Sequence, residues 1–138
     1  MPDISRRFVK TSLVCFALAL LVGIAQWAPT FGFESPWFIG VRPAYIHVFV
    51  YGWITEMIIG VALWLFPIES RERPRGNPLL NETAWWGITL GLALRLVAEP
   101  AHAAVGGAWA WVLLVSALSQ WIGGMAFVAT IWRRVKTR

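Results

Sequence analysis

Hydropathy along the chain alternates between long apolar stretches and short polar connections. Four stretches reach the roughly 20 mostly apolar residues that crossing a bilayer requires. They run from about 8 to 29, 44 to 67, 83 to 100 and 108 to 132. Pro29, Pro67 and Pro100 predict the ends of three, because proline lacks an N–H and clashes with the preceding turn. The connections, about 30–43, 68–82 and 101–107, leave no room for a second domain. The predicted fold is all-α: a polytopic membrane four-helix bundle, one transmembrane domain over residues 1–138.

Composition agrees. Of 138 residues, 58% are hydrophobic and 14% charged, against about 25% charged in an average soluble domain. That balance excludes a disordered chain and a coiled coil, and one water-soluble core could not hide so much apolar surface. Cys15 is the one cysteine, which excludes a disulfide framework and a multi-cysteine metal or iron–sulfur site. The net charge of +5 raises the question of an acidic partner, and its placement answers it. Arg6, Arg7, Lys10, Arg71, Arg73, Arg75, Arg133, Arg134, Lys136 and Arg138 fall on one side of the predicted topology. Arg42 alone falls on the other, and Arg95 lies within span three. By the positive-inside rule both termini are cytoplasmic, and the charge reads as orientation rather than nucleic-acid binding.

The first stretch is long for a signal sequence and ends without a small-x-small cleavage site, so it reads as a retained span. Ten residues are Trp. Trp27, Trp37, Trp64, Trp85, Trp86, Trp109, Trp111 and Trp132 fall near span ends, where indole rings anchor at the interface.

Small residues let helices approach in lipid. Span two carries Gly52, Glu56 and Gly60 at spacings of four. Span three carries Gly87, Gly91, Arg95 and Glu99, and span four Ser116, Gln120 and Gly124. Polar groups on such faces point to the bundle interior. Glu56, Arg95, Glu99 and Gln120 therefore form a predicted intramembrane polar network, in which Arg95 pairs with Glu56, with Glu99 at i+4, or with both. Two roles stay open: fixing helix register, or serving a proton, an ion or a cofactor. A Glu–Arg arrangement alone is not a proton wire.

His102 reads as a surface residue near the end of span three. His47 lies one turn into span two, on a stripe with Tyr51, Ile54 and Ile58. On a straight α-helix that stripe is about 180° from Glu56, so the two would not serve one small site. The local sequence is Arg42-Pro43-Ala44-Tyr45-Ile46-His47, then Gly52-Trp53, then Trp64-Leu65-Phe66-Pro67. It resembles the second helix of subunit I in the haem-copper oxidase and nitric oxide reductase superfamily. Nearly the whole chain resembles short four-span bacterial proteins described as cytochrome c oxidase subunit I-like, including Leu94-Arg95 and Ala98-Glu99-Pro100.

The resemblance implies a bacterial inner-membrane protein with His47 as an axial ligand of haem b, for electron transfer. Arg42 and Arg95 would then pair with haem propionates or with Glu99. The sixth ligand would come from His102, a Met, or His47 of a second copy. The large relatives resemble a twelve-helix frame with a histidine-rich copper site. With only His47 and His102, this chain is not expected to be an oxidase by itself. Homo-oligomers or membership of a larger membrane complex are the expected assemblies. The alternatives are a cofactor-free accessory subunit of a respiratory or photosynthetic complex, packing through its glycine stripes, and a small channel or carrier using Glu56.

Overall fold

The computed structural model describes residues 1–135. Lys136 and Arg138, counted above among the basic residues, lie outside the described residues. The first helix, α1, is Asp3–Ala25, followed by a 3₁₀ turn at Ala28–Phe31. Span two, Trp37–Leu65, is built from α2 (Trp37–His47), a π-helical segment (Val48–Thr55) and α3 (Glu56–Leu65). Then come α4 (Pro78–Val105) and α5 (Trp109–Trp132). All four spans are long and apolar enough to cross a membrane, and no strand occurs among the described residues.

Local chemistry explains most helix ends. Phe66 is extended, as the residue before Pro67 should be, and α3 stops there. Asn77 caps α4 by accepting from the Leu79 N–H at 3.0 Å, with Pro78 in the first turn. Gly106, at φ +68°, ends α4.

Pro100 departs from expectation. It lies inside α4, which continues to Val105, and the loop expected at 101–107 is mostly helix. Pro43 likewise lies inside α2. A helix-interior proline costs about 3 kcal/mol in water, but neighbouring helices make it tolerable in a membrane span. Here the neighbour is close. A Cβ on Gly40 would lie 2.4 Å from the Glu99 carbonyl oxygen and from the Pro100 Cα, so α2 presses directly on the proline turn.

The helices run up and down. Gly60 meets Phe8 near the start of α1, and Gly52 meets Cys15 further along it. Gly87 packs on Gly123, and Gly91 on Ser116 and Gln120. Two hydroxyls stitch the last pair: Ser116 donates to the Gly91 carbonyl at 2.6 Å and Ser119 to the Gly87 carbonyl at 2.9 Å. Most of the small-residue stripes read from the sequence are thus consumed within the chain. α1 lies along span two, α2 packs on α4, and α5 lies along α4 with only slight contact to α3.

The end carrying Met1 and Val135 is clamped by arginines. Arg134 is fully buried. It donates to the carbonyls of Leu63, Phe66 and Pro67 at 2.7–3.0 Å, and Arg75 donates to the Trp64 carbonyl at 3.0 Å. These are the carbonyls that a helix end leaves without partners. Burial, and next the Arg75 guanidinium, push the Arg134 pKa below the ordinary arginine value, while Glu69 opposes the shift. Arg7 holds both carboxylate oxygens of Glu82 at 2.8 Å and sits over Trp85, which joins α1 to α4.

Candidate functional site

The far end of the bundle holds a polar cluster. His47 ends α2, Arg95 and Glu99 lie one turn apart on α4, and Ser116 faces them from α5. The Arg95 guanidinium reaches three groups: Glu99 Oε1, His47 Nε2 and Ser116 Oγ, each at 3.3 Å. His47 Nδ1 lies 2.9 Å from both the Pro43 carbonyl and Glu99 Oε1.

Hydrogen-bond chemistry assigns the imidazole. A guanidinium only donates, so Nε2 accepts and the proton sits on Nδ1, which donates to the Pro43 carbonyl with Glu99 Oε1 in contact beside it. Glu99 Oε1 thus accepts from Arg95 and lies against His47 Nδ1, while its Oε2 is buried without a partner among the described residues. The side chains of Arg95 and Glu99 are 16% and 7% exposed, and that of His47 is 28% exposed. The ring therefore has one face in the protein and part of its surface open.

Glu56 lies elsewhere. It is fully buried, and its Oε1 accepts from Thr89 Oγ1 at 3.0 Å. Arg95 does not bond to it, because Thr89 rather than Arg95 lies level with Glu56. Gln120 is buried with its amide nitrogen unpartnered among the described residues. The sequence-predicted polar residues thus separate: Arg95 and Glu99 join His47, while Glu56 and Gln120 form no hydrogen bond to that group. Arg42 is exposed and lines a cavity with Gln26, Trp27 and Thr30. His102 is exposed in the last turn of α4.

His47 and Glu56 serve separate groups, as expected, but not from opposite faces of span two. Both reach α4, one through Glu99 and Arg95, the other through Thr89. The π-helical segment between them is the cause. Its bonds run i→i+5, so each turn takes nearly one residue more than the α-helical 3.6. Over eight residues the helix falls behind by roughly 0.4 of a turn, which brings the two faces nearly into line. π-helical turns are rare and often mark functional sites.

Sequence reasoning missed Ser116 and Thr89 as site partners and Arg134 as a clamp. Ser116 sat on a stripe already noted, four residues before Gln120, but as a packing residue. Thr89 offered no periodic signal.

A family model described as cytochrome C and quinol oxidase polypeptide I matches residues 3–138. The chain belongs to that family. It is therefore a haem-copper oxidase subunit I-like membrane protein. A comparison with curated proteins found no match, and a comparison with solved structures found none.

Membership of the polypeptide I family implies haem, and His47 is the residue to test against it. An imidazole that ligates iron through one nitrogen almost always donates its other N–H to a carboxylate, carbonyl or water. Nδ1 does so here, to the Pro43 carbonyl, with Glu99 Oε1 also 2.9 Å away. The free lone pair is then on Nε2, the atom that Arg95 meets at 3.3 Å. An imidazole with an anchored Nδ1, a nearby carboxylate and a nearby cation is a set of groups that fits haem, provided that Arg95 releases Nε2. Among the described residues no three of His, Cys, Asp and Glu gather as a metal cluster.

Proposed function

We propose that this subunit I-like chain binds haem b through His47 Nε2 and carries electrons at the end of the bundle remote from its termini. In this reading it resides in a bacterial inner membrane with both termini cytoplasmic, as the basic residues around them favour. The observation that carries the proposal is the bond from Nδ1 to the Pro43 carbonyl, with Glu99 beside it, which leaves the lone pair on Nε2.

Bound haem would supply one-electron transfer between ferric and ferrous iron. The protein's own contribution is orientation and charge. The Pro43 carbonyl fixes the tautomer and the ring angle of His47, and the neighbouring Glu99 carboxylate makes it a better donor. Gly40 lets α2 sit close enough to α4 for that contact. Arg95, on leaving Nε2, is a partly buried cation able to receive a propionate, and Arg42 offers a second guanidinium at the same end.

The test is an absorption spectrum of protein purified from haem-replete cells. A Soret band that disappears in His47→Ala, with helicity unchanged, is the expected result. A colourless, folded wild-type protein overturns the reading. One observation favours a second reading, a cofactor-free accessory subunit: Arg95 already satisfies Nε2. Under that reading His47→Gln keeps the subunit in its complex and no haem is found.

A further inference from the structure

Between span two and α5 the bundle is open. A groove of about 510 Å³ runs there, walled by Tyr51, Thr55 and Ile58 on one side and by Gln120, Trp121 and Gly124 on the other. Two features distinguish it from ordinary lipid-facing surface.

The first is Gly124. A Cβ on Gly52, Gly87, Gly91 or Gly123 would meet another atom at 2.7–2.8 Å, because each admits a neighbouring helix. A Cβ on Gly124 would meet nothing within 4 Å. It is a close-approach position that nothing in the chain uses. The second is Gln120, one turn earlier on the same face. It is 6% exposed, yet its amide nitrogen has no hydrogen-bond partner among the described residues. A buried donor left unpaired is unfavourable, and interhelical amide bonds are a recurrent solution in membranes.

We infer that this groove is a homodimer interface whose occupant is α5 of a second copy. A two-fold interface brings each residue to its own counterpart or to a reciprocal partner. An amide carries both donor and acceptor, so Gln120 is complementary to itself. Its terminal torsion is soft, which lets the amide turn toward its mate. Copies inserted in the same sense are parallel, so the two-fold axis runs along the membrane normal. Each α5 enters the other's groove, the two cross at Gly124, and each also contacts the partner's span two. Trp121 and Met125, 65% and 48% exposed in one copy, flank the crossing and become covered. The inference does not depend on haem.

Full-length protein in lipid vesicles tests it, in a Cys15→Ala background. Oxidative cross-linking is compared for Gly124→Cys and for Leu118→Cys, exposed on α5 about a third of a turn away from Gly124. Cross-linking at 124 and not at 118 is expected. Gly124→Ile should weaken dimerisation about tenfold or more, and Gln120→Leu should weaken it less, both with unchanged helicity. A chain that stays monomeric as protein is concentrated in the vesicles overturns the inference, as does equal cross-linking at both positions. A dimer indifferent to Gly124→Ile also overturns it. If Gly124→Ile misfolds, the cross-linking pair decides alone.

Discussion

Glu99→Gln isolates the ion pair at the centre of the candidate site. The substitution keeps the shape of the side chain and one acceptor oxygen, removes the charge and turns the other oxygen into an amide donor. Arg95 is then left 16% exposed, with its bond to Ser116 but no counter-ion. An arginine at a span centre costs about 2.5–3.5 kcal/mol on the lenient insertion scale. Arg95 sits off-centre and keeps a partner, so the expected destabilisation is about 2 kcal/mol. Arg95→Met leaves Glu99 buried instead, and that costs about 1–2 kcal/mol, less because a carboxyl can take up a proton and a guanidinium cannot lose one. The double variant replaces a buried pair by neutral groups, which is often near neutral, so about 1 kcal/mol is expected. The single costs should therefore exceed the double by about 2 kcal/mol, a coupling measurable by reversible unfolding in bicelles. Additivity within about 0.5 kcal/mol would refute the reasoning, because it would mean the two groups do not interact.

Other contacts give further tests. Thr89→Val leaves Glu56 without its hydroxyl donor and should lower stability by about 1 kcal/mol, while haem content stays unchanged. In Gly87→Leu the side chain meets Gly123 backbone, since even a Cβ would lie at 2.8 Å. A loss of about 1–3 kcal/mol is expected by the same unfolding assay. Arg134→Met removes the bonds to the Leu63, Phe66 and Pro67 carbonyls and should cost about 2 kcal/mol after relief of guanidinium burial. Arg134→Lys should not restore the loss, because a lysine cannot reproduce the planar fork.

The spans were legible because a bilayer makes apolar length a direct signal: unpaired backbone groups cannot face lipid, so long apolar runs become helices. Pro100 misled, since its usual stop signal is outweighed by the contact of Gly40 with the Glu99–Pro100 backbone. Arg95 and Glu99 were legible as a pair because i+4 spacing on one helix does not depend on the rest of the fold. His47 joining them was not. That contact depends on where α2 sits against α4 and on the π-helical segment that follows, and hydrophobic periodicity records neither. The same segment overturned the expected opposition of His47 and Glu56. Ser116 and Thr89 look from sequence like any small polar packing residue, and only the facing helix reveals their partners. The glycine stripes were legible, but not that the chain uses nearly all of them itself, with Gly124 left over.

The most direct test of the central claim is imidazole rescue of His47→Gly. The substitution opens space at the ligand position and removes the donor nitrogen, leaving Glu99 and Arg95 in place. Purified His47→Gly protein is mixed with haem b, and its Soret region is followed as free imidazole is added. If His47 Nε2 is the axial ligand, wild-type protein binds haem without imidazole and the variant acquires the wild-type spectrum only when imidazole is supplied. A variant that binds haem equally well without imidazole would contradict the account, and so would a wild-type protein that takes up none.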